Sequence, residues 1–169
     1  MPAKNGRMQV REFIFYVEDL ATAALPPDVP KPQRKMMWTI LQLFWDNPRA
    51  HFELQPQPSR QLVELGLHFE GPAADNERWA QRLAGNASEL QAALGPAWEL
   101  EEWTASWRRL HRTFPYETLT GELGREVAAE FTKAITLLWP YALVGPTPEK
   151  PAAANHRPYH ERFRRHARV

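Results

Sequence analysis

The sequence predicts an α+β domain, and three features of its hydrophobic patterning carry that prediction. Residues 61–70 alternate, with Val63, Leu65, Leu67 and Phe69 on one side and Glu64, Gly66, His68 and Glu70 on the other, as in a strand with one buried face. Residues 75–95 instead place Trp79, Leu83, Ala87, Leu90 and Leu94 on one helical face and end at Gly95. Turn-forming clusters at 56–59 and 71–72 keep the connections short, which favours hairpins. The expected order is ααββαββα, giving a four-stranded antiparallel sheet with helices packed mainly on one face.

Val10, Phe13, Ile14, Val17, Leu20, Ala21 and Ala24 recur at helical spacing until Pro26 and Pro27 stop the pattern, although Phe13, Phe15 and Val17 also alternate as a strand would. Past the stiff connector at 28–32, Met36, Met37, Ile40, Leu41, Phe44 and Trp45 form a broad apolar stripe and predict a second helix, ending near Pro48. Phe52 and Leu54 alternate with His51, Glu53 and Gln55, so residues 50–55 form a strand that pairs with 61–70. Asp75 or Asn76 is a suitable N-cap for the next helix. Residues 97–101 and 107–114 read as a second strand pair in which Glu99 and Glu101 face Arg109 and His111. Thr120 caps a last helix striped by Leu123, Val127, Phe131, Ile135 and Leu138, with Pro140 marking its end.

The domain expected from this pattern is 1–144, a single α+β unit, followed at 145–169 by a Pro/Ala-rich linker and a basic Arg/His-rich tail. The net charge of +1 conceals this asymmetry, because five arginines stand against one glutamate beyond residue 154. With no cysteine, disulfides, thiolate zinc sites and a cysteine nucleophile are excluded, and a cytoplasmic setting is the default expectation. The first residues lack the apolar core of a signal peptide, and no run approaches the ~18–20 apolar residues of a membrane span. Seven tryptophans and 43% hydrophobic residues argue for a packed core.

Catalytic motifs are missing. The sequence has no Gly-rich phosphate loop, no Gly-x-Ser-x-Gly and no His-Glu-x-x-His. It implies no cofactor. The strand Leu62-Val63-Glu64-Leu65, the helical Asn76, Trp79 and Leu83, the Leu94-Gly95 and Trp98-Glu99 pairs, the basic Arg108-Arg109 strand and the final helix ending at Trp139-Pro140 together resemble an uncharacterised α+β domain found at the carboxyl end of restriction-endonuclease-like proteins. The resemblance covers about half the chain and implies an accessory domain beside a nuclease, without catalytic residues of its own. A nuclease would need Glu-x-Lys, and Glu64-Leu65-Gly66 lacks the lysine. In element order alone the chain also resembles type III secretion chaperones.

Three constellations bear on function. His51, Glu53, Glu64, His68 and Glu70 share the polar face of the first hairpin, where His51 or Glu53 is expected opposite Glu64; such a set can ligate a divalent metal, with His51, Glu64 and His68 as candidates. The ordinary state of such a face is solvation. Trp103 and Trp107 flank a turn beside Arg108, Arg109 and Arg112, the place to look for a partner surface. In the tail, Arg157, Arg162, Arg164, Arg165 and Arg168 interleave with Tyr159 and Phe163, a pattern suited to phosphate attraction and base stacking. The first functional reading is a non-catalytic interaction module binding a protein partner. The alternative is a nucleic-acid-associated accessory protein using its basic tail, and the third reading is a metal-dependent enzyme on the His51/Glu64/His68 face.

Overall fold

The structure, a computed structural model, describes residues 6–144. The tail residues named above lie outside the described residues. The elements are α1 (Val10–Ala23), β1 (Gln33–Met37), β2 (Ile40–Phe44), β3 (Ala50–Gln57), β4 (Leu62–Phe69), α2 (Ala73–Gly85), α3 (Ala87–Leu94), β5 (Glu99–Glu102), β6 (Arg108–Pro115) and α4 (Gly121–Ala142). Six strands form one antiparallel sheet in the order β1-β2-β3-β4-β6-β5. The α+β class and antiparallel pairing match expectation, whereas the strand number and element order do not.

The difference begins at the expected second helix, which is the β1–β2 hairpin. Met36, Met37, Ile40, Leu41 and Phe44 sit at helical spacing, but Leu41 and Leu43 alternate with Ile40, Gln42 and Phe44, and the first two bury fully against the helices. A two-residue turn at Trp38-Thr39 reverses the phase of the pattern between the strands. Tight hairpin turns ordinarily show themselves by Asn, Asp or Gly at the positive-φ position; here Trp38 occupies it, at φ 48°, so the sequence gives no signal. β2 is then held by pairing with β3, Leu41 opposite Leu54 and Leu43 opposite Phe52, a contact that no local pattern announces.

The remaining departures are smaller. The expected long helix divides into α2 and α3 at Asn86, whose φ of −111° and ψ of 20° leave the helical well. Gly95 closes α3 at φ 94°, as expected. Neither Asp75 nor Asn76 is the N-cap of α2, which is Pro72. Asn76 is fully buried instead and clamps the chain, accepting from Gly71 N and donating to the carbonyls of Gly71 and Ser106, each at 2.8 Å. Thr120 does cap α4, accepting from Leu123 N at 3.2 Å, but the helix runs past Pro140 to Ala142.

One sheet face carries the core. Leu41, Leu43, Phe52, Leu54, Val63, Leu65, Leu67, Phe69, Leu110 and Phe114 project from the strands toward Phe13, Ile14 and Val17 of α1 and Val127, Phe131 and Ile135 of α4. Helices α1 and α4 pack closely because Gly124 has no side chain: a Cβ there would lie 2.7 Å from the Tyr16 ring. Helix α2 covers β4 and β6 on the same side, and α3 leans on α4. Among the described residues no helix lies on the other face, and no helix is long and apolar enough to cross a membrane.

Candidate functional site

The helix-free face is where structure departs most from expectation. Its histidines and carboxylates are buried: His51 is 1% exposed, Glu53 4%, Glu64 3% and His68 0%. Buried charge on a sheet face requires partners, and the strand register supplies them. His51 lies opposite His68, Gln42 opposite Glu53, His68 opposite Arg109, and Glu99 and Glu101 opposite His111 and Arg109. The last two bring together the four residues expected to face one another, with Glu99 on His111 and Glu101 on Arg109. Glu64, by contrast, stands opposite Gln55 rather than His51 or Glu53, because the two strands pair further along than the turn residues suggested.

Glu64 is the electrostatic centre. Its Oε1 receives Arg109 Nη1 at 2.6 Å and lies 3.3 Å from His68 Nε2, while Oε2 accepts from Gln57 at 3.1 Å. Burial alone would raise its pKa, but His68 and Arg109 outweigh that and hold it near 2. His68 is the converse case. Burial opposes its charge, yet contact with Glu64 and Glu70 and the field of Glu53 raise its pKa to about 9. Glu53 is also held below the usual carboxylate range, with burial opposed by His51, His68 and Gln42. His111 moves down, first through burial and then through the neighbouring Arg109 charge; its Nε2 lies 3.1 Å from Glu101 Oε1 without hydrogen-bond geometry.

His51 is oriented from behind. Its Nδ1 lies 2.8 Å from the Pro48 carbonyl, and since a carbonyl only accepts, that nitrogen carries the proton. The Gln42 amide donates to Nε2 at 2.9 Å and to Glu53 Oε2 at 3.2 Å. The two imidazoles stack at 5.6 Å, and Trp103 lies edge-on to His68 at 5.4 Å and over the Arg109 guanidinium at 4.8 Å. One donor atom from each of His51, Glu53, His68 and Glu70 falls within 4.8 Å of the others, as in a second set formed by Glu99, Glu101 and His111.

The Trp103/Trp107 turn is thus partly committed to this cluster. Trp103 is 40% exposed, with Trp107 5.7 Å away. The three arginines expected beside it do not form a stripe, because β6 alternates. Arg109 is on the open face between Glu64 and Glu101, while Arg108 and Arg112 are on the helix side, held by Glu77 and Glu130 respectively. Each is engaged by a carboxylate.

A second surface lies at the β1 edge, where the apolar spacing predicts a helix and the chain forms a hairpin instead. Trp38 is 89% exposed at the hairpin tip. Its carbonyl is fixed by Arg11 Nη1 at 2.9 Å. Toward the other end of β1 a groove of about 400 Å³ runs between α1 and β1, lined by Phe15, Glu18, Thr22, Pro32, Arg34 and Leu43. Phe15 is 37% exposed between the guanidinium groups of Arg11 and Arg34, and Arg34 pairs with Glu18 at 2.7 Å.

No family model, curated protein or solved structure matches the chain.

Proposed function

We propose that the chain is a non-catalytic interaction module that binds an extended segment of a protein partner along the β1 edge, with Trp38 as its anchor. The carrying observation is Trp38 itself, an aromatic 89% exposed and held at φ 48°. A left-handed conformation costs a bulky residue roughly 1–2 kcal/mol, and exposure forfeits the burial of the largest side chain. A residue that stabilises the fold so poorly is the kind that forms a binding hot spot, where tryptophan is enriched.

The neighbourhood fits the role. Among the described residues β1 pairs only with β2, which leaves its outer backbone groups open to strand addition, and the adjacent groove accepts side chains from an added strand. Lys31, Arg34 and Lys35 line this edge, which disfavours pairing with a second copy of itself and selects an acidic segment carrying an apolar anchor.

A displayed library of random peptides, selected on the full chain and measured by fluorescence anisotropy, tests this reading. The expected binders are extended, acidic and apolar, lose at least tenfold in affinity to Trp38→Ala, and protect the β1 amides from exchange. Peptides that bind Trp38→Ala and Phe15→Ala as well as the wild type would place binding elsewhere and overturn it.

A further inference from the structure

We propose that His51, Glu53, His68 and Glu70 form a binding site for a divalent transition-metal ion on the open sheet face, away from the β1 edge. Two donor distances already match such a site. His51 Nε2 to Glu53 Oε2 and His68 Nδ1 to Glu70 Oε1 are each 3.4 Å; the second contact is a hydrogen bond through a proton on His68, which a bound ion would replace. Four ligands about 2.0–2.1 Å from a tetrahedral zinc are separated by about 3.3–3.4 Å, so each strand contributes one nearly correct edge of the tetrahedron. With all four donors within 4.8 Å of one another, closing the two pairs onto one ion requires side-chain adjustments of about 1 Å or less.

The surroundings orient the His51 ring as metal sites do and set a carboxylate close to the far nitrogen of His68. Ligating histidines commonly donate their other nitrogen to a carbonyl or carboxylate. Here the Pro48 carbonyl lies 2.8 Å from His51 Nδ1, and Glu64 Oε1 lies 3.3 Å from His68 Nε2, near enough to accept from it after a small rotation though the two make no hydrogen bond as they stand. Glu64 is itself braced by Arg109 and Gln57. The Gln42 amide, donating to both His51 Nε2 and Glu53 Oε2, occupies the position on those atoms that a cation would take, so a bound ion displaces that amide in addition to the small donor shifts. Two imidazoles with two carboxylates suit zinc and its first-row neighbours, whereas magnesium and calcium prefer all-oxygen sets.

The test is titration of the metal-stripped full chain with Zn²⁺ in competition with a chromophoric chelator, repeated for His51→Gln, Glu70→Gln and Glu99→Gln. One equivalent should bind, weakened at least tenfold by His51→Gln and by Glu70→Gln and unchanged by Glu99→Gln; Co²⁺ should give the strong visible absorption of tetrahedral coordination. Glu70 is only half-buried at the strand end, so its variant keeps the test open if His51→Gln fails to fold. Absence of stoichiometric binding would overturn the proposal. So would zinc affinity untouched by Glu70→Gln, which would place the ion elsewhere, including on His156, His160 or His166, and so would loss through Glu99→Gln alone, which would assign it to the Glu99, Glu101 and His111 set.

Discussion

Replacing Glu64 by glutamine keeps the side chain's volume and removes one charge from the centre of the buried network. The carboxylate is 3% exposed and faces Arg109 at 2.6 Å and His68 at 3.3 Å, so its loss leaves the buried His68 with Glu70 and the partly buried Arg109 with Glu101 as their remaining carboxylates. Breaking one partner of a buried pair costs about 3–5 kcal/mol. The displacement of the Glu64 pKa from 4.5 to about 2 corresponds to ~3 kcal/mol, in agreement. The expected loss at pH 7 is therefore about 3 kcal/mol, or roughly 6–12 °C in Tm for a chain of this size. Urea unfolding followed by tryptophan fluorescence measures it. The folded pKa lies below the unfolded one, so the contribution is complete above pH 4.5 and declines as pH falls toward 2. Wild type and variant should accordingly converge across that window. A difference below about 1 kcal/mol at pH 7, or a gap of constant size on acidification, would refute the account of Glu64 as a buried anion stabilised by His68 and Arg109. A double variant, Glu64→Leu with Arg109→Leu, should lose less than the sum of its parts, because neither charge is then left alone.

Further outcomes follow from the same geometry. Gly66→Ala should destabilise by about 1–3 kcal/mol in denaturant, since a Cβ would stand 2.7 Å from His111 Cβ and 3.0 Å from the Leu110 carbonyl, both fixed by β6; equal stability would mean that the β4–β6 contact is looser than described. Trp38→Gly should leave the denaturation midpoint unchanged or raise stability by up to about 1 kcal/mol, through relief of the left-handed conformation, and a loss above about 1 kcal/mol would show that Trp38 supports the fold. Thr120→Ala should cost about 1 kcal/mol by leaving Leu123 N without its cap, readable as a lower midpoint with an unchanged slope.

How far the fold could be read from the chain depended on whether a segment's own pattern was decisive. Val63, Leu65, Leu67 and Phe69 alternate over a full strand, and β4 lies where they put it. Residues 33–44 carry a pattern compatible with either period, and the choice rests on pairing between β2 and β3 and on a turn formed by Trp38 in a conformation its chemistry disfavours. The histidines and glutamates of the open face were visible as a group, since alternation alone places them together. Their burial was not, because it arises from cross-strand partners: Arg109 reaches Glu64 from 45 residues away, and Trp103 overlies His68 from a loop. Asn76 was visible as a helix-start residue, but its clamp on Gly71 and Ser106 depends on how α2 meets the turn before β6.

The strand order has a consequence for how the protein is made. Strands β1 to β4 are neighbours in both sequence and sheet, so this meander can close while the ribosome is still supplying α2 and α3. β4 then waits, with one edge unpaired, until β6 emerges to occupy it. During that interval Glu64 and His68 have been translated and Arg109 has not, so the anion lacks one of the two cations it faces in the finished fold. Closure of the sheet and the pairing of Glu64 with Arg109 are one late event in the life of the nascent chain, and synthesis halted before residue 108 would leave the eight-residue edge of β4 open to other chains.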